Sequence, residues 1–269
     1  MSTHREQRPA PGGKAKSGKA LTFSIITCTW NSEPYLAQSI QSVLEQDYPH
    51  VEYIFVDGGS TDGTLERIRR LERPYRLLEN VRGGISNAMN EGIRAATGDV
   101  IAHLHSDDYY IHPRVLSTVA DALQTQERGW LFGRILRDVD GSLLKENFIS
   151  PRYSHSRLLH ANFIPHPATF VRRDWMNRAG GFSTSLKYAM DYDLWLRLAE
   201  MGDPVQLDEP LAAFREHQGS LSTRDRLPAF EEDFRVRKSH LGVNPIARAK
   251  HYAYYLVRRH RVLQQGVPA

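Results

Sequence analysis

Between Leu21 and Leu104, short apolar runs rich in β-branched residues alternate with apolar residues at helical spacing, and this alternation leaves few folds open. LTFSIITCTW (21–30), VEYIFVD (51–57), Arg76-Leu77-Leu78 and Val100-Ile101-Ala102-His103-Leu104 read as strands. Between them Leu36, Ile40, Val43 and Leu44, then Leu65, Ile68 and Leu71, then Ile85, Ala88, Met89, Ile93 and Ala96 recur as helix faces. Asn31-Ser32 with Pro34 opens the first helix, and Tyr48-Pro49 stops it. Strand, helix, strand, helix predicts an α/β fold: a mostly parallel sheet covered on both faces.

The second half reads differently. After a helix carrying Val115, Leu116, Val119 and Leu123, the runs WLFGRILRD and SLLKENF flank Val139-Asp140-Gly141, a hairpin signal. HPATFVRR reads as another strand, and residues 190–201 as an amphipathic helix with Asp191 and Asp193 in its first turn. From about Leu227 two more helices are expected. Residues 1–20 are Pro, Gly, Lys, Ser and Arg with little apolar content, which predicts a disordered basic tail. The expected organisation is this tail, one domain over 21–226 in two halves (21–125 and 126–226), and a helical extension over 227–269.

With 269 residues, 41% of them hydrophobic and 25% charged, the chain can bury a substantial core. No apolar run approaches the ~20 residues that span a bilayer, and no signal peptide is expected. The single Cys28 excludes an internal disulfide framework, suits the cytoplasm and, in an apolar strand, reads as an inert thiol. A net charge of +4 suits a phosphorylated ligand or an anionic surface and does not call for nucleic acid.

The chemistry concentrates in DVIAHLHSDDYY (99–110). Asp107 and Asp108 stand at the carboxyl end of a buried strand, where open α/β sheets bind ligands and where paired carboxylates are costly without a cation. A divalent metal carrying a diphosphate meets both demands. The competing reading makes Ser106 or Asp107 the cap of a helix opened by Pro113.

SIITCTWNSE, VDGGSTDGT, GISNAMNEGIRAATGD, HSDDYY, GGFSTSLKYAMDYDLWLRL and FREHQGSLS follow one another between about Phe23 and Ser222. This ordered series resembles the family 2 glycosyltransferases, inverting enzymes with the GT-A nucleotide-sugar-binding fold. The resemblance implies a nucleotide pocket at Thr29, Trp30, Asp57, Asp107 and Arg215. It implies a Mg²⁺ or Mn²⁺ ion at Asp108 and His217, an acceptor contact at His166, and Asp191 as the general base. Gly58, His105 and Met190 stand where relatives often carry acids, and Arg82 and His105 have no role assigned by the motif. Each assignment has a plainer competitor. Trp30 is equally a core tryptophan, Asp57 a turn cap, Asp191 a first-turn acid, and His217 and Arg215 solvated loop residues.

The resemblance implies a metal-dependent hexosyltransferase. Its donor would be a nucleoside-diphosphate sugar, UDP-sugar by default, and its acceptor a saccharide or lipid-linked saccharide in cell-surface polysaccharide or glycolipid synthesis. The helix expected over 245–263 interleaves Tyr252, Tyr254 and Tyr255 with Arg248, Lys250, Arg258, Arg259 and Arg261. It suits either a peripheral contact at the anionic inner face of the membrane or packing on the domain. A catalytically silent nucleotide-sugar-binding module is the alternative function. A sugar-nucleotide pyrophosphorylase would need a Gly-rich basic loop after the first strand, and a nicotinamide enzyme a G-x-G-x-x-G there. Cys28-Thr29-Trp30-Asn31 is neither.

Overall fold

The computed structural model describes residues 19–145, 150–217, 225–242 and 245–265. The expected basic tail, apart from Lys19 and Ala20, and the GSLS end of the FREHQGSLS motif lie outside the described residues.

The first half forms β1 (Phe23–Thr29), α1 (Glu33–Leu44), β2 (Val51–Asp57), α2 (Thr64–Arg69), β3 (Arg76–Leu78), α3 (Ile85–Ala95) and β4 (Val100–His103). Strands β3, β2, β1 and β4 pair in parallel, in that order. Alternate residues of each strand feed two cores. Phe23, Ile25, Tyr53 and Phe55 point with Leu36 and Ile40 of α1 into one; Ile26, Cys28, Ile54 and Val56 point with Met89 and Ile93 of α3 into the other. A Cβ on Gly92 of α3 would lie 2.4 Å from an Ile26 methyl, so only glycine lets this helix seat on β1. Burial pushes the Cys28 thiol up to about 12, as expected of an inert core cysteine.

The second half forms β5 (Tyr109–Tyr110), α4 (Val115–Gln126), β6 (Trp130–Val139), β7 (Ser142–Lys145), α5 (His155–Leu158), a 3-10 turn (His166–Ala168), β8 (Thr169–Arg172), α6 (Arg173–Ala179), α7 (Met190–Met201) and β9 (Val205–Glu216). It adds β8, antiparallel to β4, then β6, β9 and β5, giving a nine-stranded sheet among the described residues with β7 paired to β6. The sheet is therefore parallel in its first half and mixed in its second. Asp140 (φ 50°) and Gly141 (φ 81°) close the β6–β7 hairpin as the two-residue turn their sequence predicts.

Two strands were not expected. β5 has two residues, too few for a pattern. β9 carries Pro210 and three acids, and Pro210 faces the irregularity in the β6 register at Arg134, where a strand tolerates proline. Helix α4 begins at Val115 with Arg114 as its cap, so neither Ser106 nor Asp107 caps it. The chain ends in the two expected helices, α8 (Arg226–His240) and α9 (Pro245–Gln265). Among the described residues no helix is long and apolar enough to cross a membrane.

Candidate active site

Strand order turns back at β1, which neighbours both β2 and β4, so the carboxyl ends of these three strands share one crevice. Their loops are stitched together. Gly58 N donates to Thr29 O (2.8 Å), Ser32 N to Thr64 Oγ1 (2.8 Å), Thr61 N to Asn31 Oδ1 (2.9 Å), and Ser106 Oγ to Ser32 Oγ (2.8 Å). Asp57, fully buried at the end of β2, accepts from Thr29 Oγ1, Gly59 N and Ser60 N, each at 2.8 Å, and from Ser60 Oγ. Its carboxylate thereby fixes the loop that faces the crevice. Trp30 is 68% exposed at the rim, so it is no core residue, and its ring is open to a stacking partner. Gly59 has φ +90°, and a Cβ there would lie 2.5 Å from an Arg82 guanidinium nitrogen. Arg82 thus rests on bare backbone beside Asp57.

The loop after β4 brings Asp107 and Asp108 to this crevice from the other side. His217 Nε2 lies 3.0 Å from Asp107 Oδ2. Asp108 is buried and accepts from Arg215 N (3.1 Å). Burial, reinforced by the Asp107 charge, holds its carboxyl well above the usual range. The Arg215 guanidinium lies between the Tyr35 and Tyr109 rings, 4.9 and 5.2 Å from their centres, with Nε 3.4 Å from buried Asp138 and a bond to Gln38. Tyr109 donates to the same Asp138 oxygen (2.9 Å).

Among the described residues no three His, Cys, Asp or Glu side chains are gathered to hold a metal ion. Carboxylates such as Asp107 and Asp108 are nevertheless the donor type of a hard cation that takes most of its shell from phosphates and water, as Mg²⁺ and Mn²⁺ do with nucleotides.

The 3-10 turn joins this loop to the next element. The His166 ring lies 4.8 Å from that of His105, 5.8 Å from His103 and 5.7 Å from Trp195 of α7, and stacks on Phe182. Burial holds all three imidazoles neutral: His103 is pushed down to about 3, His105 and His166 below their usual range. Asp191, one turn before Trp195, bonds its own helix start through Tyr192 N (2.6 Å) and accepts from Asn162 Nδ2 (3.4 Å). Burial pushes its carboxyl up to about 6. Asp193, two residues on, is instead tied to Arg197 (2.6 Å) and faces His240 (3.6 Å), a structural acid as expected.

A protein-family model described as glycosyl transferase family 2 matches residues 24–180. The chain belongs to this family. It is 32% identical over 184 residues to a chondroitin synthase of Pasteurella multocida, a match covering 66% of this chain and 19% of that protein. An uncharacterized glycosyltransferase of Mycobacterium tuberculosis is 29% identical over 208 residues, covering 72% and 75%. The chain thus spans about a fifth of the synthase it matches and three quarters of the mycobacterial protein. Among solved structures it resembles S. aureus TarS in complex with UDP-GlcNAc (TM-score 0.71, 20% identity, 89% of this chain and 72% of that one). It also resembles the mannosyltransferase PcManGT from Pyrobaculum calidifontis in complex with GDP-Man and Mn²⁺ (TM-score 0.67, 19% identity, 93% and 77%). The shared fold is the GT-A glycosyltransferase fold.

The loop of Thr29, Trp30 and Asp57 meets the loop of Asp107 and Asp108 through the Ser32–Ser106 bond, His217 faces Asp107, and His166 touches His105 and Trp195, one turn beyond Asp191. Sequence reading missed Asp138, Tyr35 and Tyr109, which house Arg215, and Asn162, which reaches Asp191. Only Tyr109 lies in a motif, HSDDYY, where the acids drew the eye; the others meet their partners through the packing of α1, the pairing of β6 with β9 and the packing of the 158–164 segment against α7.

Proposed function

We propose that this glycosyltransferase moves a sugar from a nucleoside diphosphate, UDP by default, to a hydroxyl of a saccharide or lipid-linked saccharide, with inversion at the anomeric carbon, in cell-surface polysaccharide or glycolipid synthesis. The observation that carries this reading is the unbroken contact from the Asp107-Asp108 loop through His105, His166 and Trp195 to the helix start that holds Asp191. Donor carboxylates and a carboxylate near neutral affinity then serve one pocket.

Asp191 acts as general base. A carboxyl at about 6 is ionised at neutral pH yet far more basic than a free aspartate, which suits removal of a proton from a sugar hydroxyl. As the acceptor oxygen bonds the anomeric carbon, its proton passes to Asp191 and the bond to the diphosphate breaks. Asn162 holds the carboxylate in place. Trp30 stacks on the base, and Thr29 and Asp57 shape the floor of the nucleotide pocket. Arg215 serves phosphate when its guanidinium leaves Gln38. Asp107, Asp108 and His217 would hold Mg²⁺ or Mn²⁺, which supplies charge neutralisation for the leaving diphosphate. His166 lies between donor and acceptor sides.

The acceptor is reached at a membrane surface in this reading. Ile246, Leu256, Val257 and Leu263 are exposed on α9, and residues 245–265 carry Arg and Lys but no Asp or Glu. Two copies of so basic a helix would repel one another, whereas an anionic bilayer attracts it.

The test is a panel of UDP-, GDP- and dTDP-sugars with Mn²⁺ or Mg²⁺, run on the native chain, Asp108→Ala and Asp191→Asn. Metal-dependent binding and release of one nucleoside diphosphate, lost in Asp108→Ala, supports the donor site. Transfer lost in Asp191→Asn with donor binding kept supports the base. Failure of every nucleotide sugar to bind overturns the reading. Tight binding without turnover favours a silent binding module.

A further inference from the structure

The C-terminal helix pair is held rigidly on the domain. Glu232 of α8, only 4% exposed, accepts from Lys187 N (2.9 Å), Tyr188 N and Ala189 N (2.9 Å), the three amides that lead into α7. A carboxylate at a helix start is favoured by the dipole, and three N–H donors make this one a fixed joint. Helix α9 is stacked on α8 in turn. The Tyr255 ring lies 4.0 Å from that of Phe234 and 5.5 Å from that of Phe230, and Arg259 Nε bonds Glu231 Oε1 (3.1 Å).

Between the end of α8 and the start of α9 lies a cleft of about 310 Å³, the size of a small ligand pocket. Helix α8 lines it with Phe234, Lys238 and Leu241, and α9 with Arg248, Ala249 and Tyr252. Four of the six are apolar or aromatic. The other two, Lys238 and Arg248, are exposed, and among the described residues neither has an ion pair or a hydrogen bond. Ala249 and Tyr252 belong, at three- and four-residue steps, to the row Ile246, Leu256 and Leu263, which are 67, 48 and 42% exposed. The cleft therefore opens onto an apolar stripe that no part of the described chain covers. Residues 226–265 carry nine Arg and Lys against three acids, a surplus of six where the whole chain has a net charge of +4. Positive charge is thus gathered on this helix pair. An apolar stripe beside unpaired cations is complementary to an anionic bilayer, whose chain carbons meet the stripe and whose phosphates meet the cations. A nucleic acid would meet only the cations and leave the stripe in water.

We propose that the α8–α9 cleft seats one anionic phospholipid, its phosphate between Lys238 and Arg248 and its first chain carbons against Phe234, Leu241 and Tyr252. This rests on the reading that α9 meets a membrane, and it adds a discrete site to a diffuse attraction. Glu232 pins α8 to the amides just before Asp191, so a lipid held in the cleft sets the start of α7 at a fixed place relative to the bilayer surface.

The test titrates the full chain with short-chain phosphatidylglycerol, kept dilute enough to stay monomeric, in a calorimeter. Saturable binding of one lipid per chain is expected. Lys238→Ala and Arg248→Ala should each weaken it about fivefold, the share of one cation near an anionic headgroup. Ala249→Trp, which fills the cleft without changing its charge, should remove it. All three positions are exposed, so the variants keep the fold, which circular dichroism verifies. Absence of saturable binding overturns the proposal, as does binding that Ala249→Trp leaves unchanged. Equally tight binding of short-chain phosphatidylcholine or of inorganic phosphate overturns it too. A polyprenyl phosphate that binds where phosphatidylglycerol does not would assign the cleft to a lipid-linked acceptor and overturn the phospholipid. Co-sedimentation with phosphatidylglycerol vesicles separates this site from the membrane reading beneath it. Capture by vesicles without binding of the monomeric lipid sinks the cleft alone, and failure of both sinks both. Ala249→Trp should also lower capture by these vesicles, whereas diffuse insertion of α9 would be strengthened by a new tryptophan at the interface.

Discussion

Thr29 Oγ1 donates to Asp57 Oδ2 across 2.8 Å, and the two residues also face each other in the β1–β2 register. One hydroxyl and one carboxylate thereby lock the carboxyl ends of two parallel strands at the mouth of the crevice. The crevice is built from loops, and loops hold a fixed geometry only when something rigid ties them down. Asp57 is that tie.

Asp57→Ala is therefore expected to act first on stability. It leaves two backbone N–H groups and two hydroxyls without their acceptor, at a cost of about 3 kcal/mol. Thermal unfolding followed by circular dichroism should show a fall in Tm of roughly 10 °C for a domain of this size. A change within a degree or two would mean that the loops are held some other way.

His217 and Asp107 stand as a cation's neighbouring ligands would, with side chains 22% and 29% exposed. His217→Ala is expected to leave Tm nearly unchanged and to weaken Mn²⁺ binding, in the presence of UDP, by at least about tenfold in titration calorimetry. Asp108→Ala should abolish the metal-dependent component. Equal Mn²⁺ affinity in all three proteins would remove these side chains from the metal.

Much of this arrangement was legible in the sequence, and the limit falls where chemistry passes from consecutive residues to packed ones. The parallel half of the sheet follows from four apolar runs and three helical stripes. The 190–201 helix and the Asp140-Gly141 turn were each marked by a local pattern. Asp107-Asp108 stood out because two acids after a buried strand are costly without a positive partner. β9 was hidden because Pro210 and its acids read as a loop, and only pairing with β6 makes the segment a strand. Arg215 reads as a phosphate ligand in sequence, yet its cage of Tyr35, Tyr109 and Asp138 comes from three separate elements.

Asp191 is expected to trade stability for activity. Burial raises its carboxyl from 3.8 to about 6, so the folded chain holds this proton more tightly than the unfolded one. The group then favours the folded state at low pH, and that advantage is lost as pH rises from about 4 through 6. Above 6 the buried charge costs about 3 kcal/mol, which Asp191→Asn recovers. Asp191→Asn should unfold at higher temperature than the native chain at pH 8, and the two should converge at pH 4. Transfer by the native chain should in turn fall off below about pH 6, where the base takes up its proton. An Asp191→Asn protein less stable than native at pH 8 would contradict the burial argument.

His103 gives the opposite slope. Burial, with His105 beside it, pushes its imidazole from 6.5 down to about 3. The unfolded chain protonates this residue near pH 6.5 and the folded chain does not, so stability from this group is full above 6.5 and is lost as pH falls. Between pH 6.5 and 5 one such histidine removes about 2 kcal/mol. His166, pushed the same way by the same enclosure, adds to the loss. Urea unfolding at pH 7.5 and pH 5.0 should show a lower midpoint at acid pH. His103→Asn should shrink that difference, because an amide carries no proton-linked charge. An undiminished pH dependence in His103→Asn would place the acid sensitivity of the fold outside this cluster.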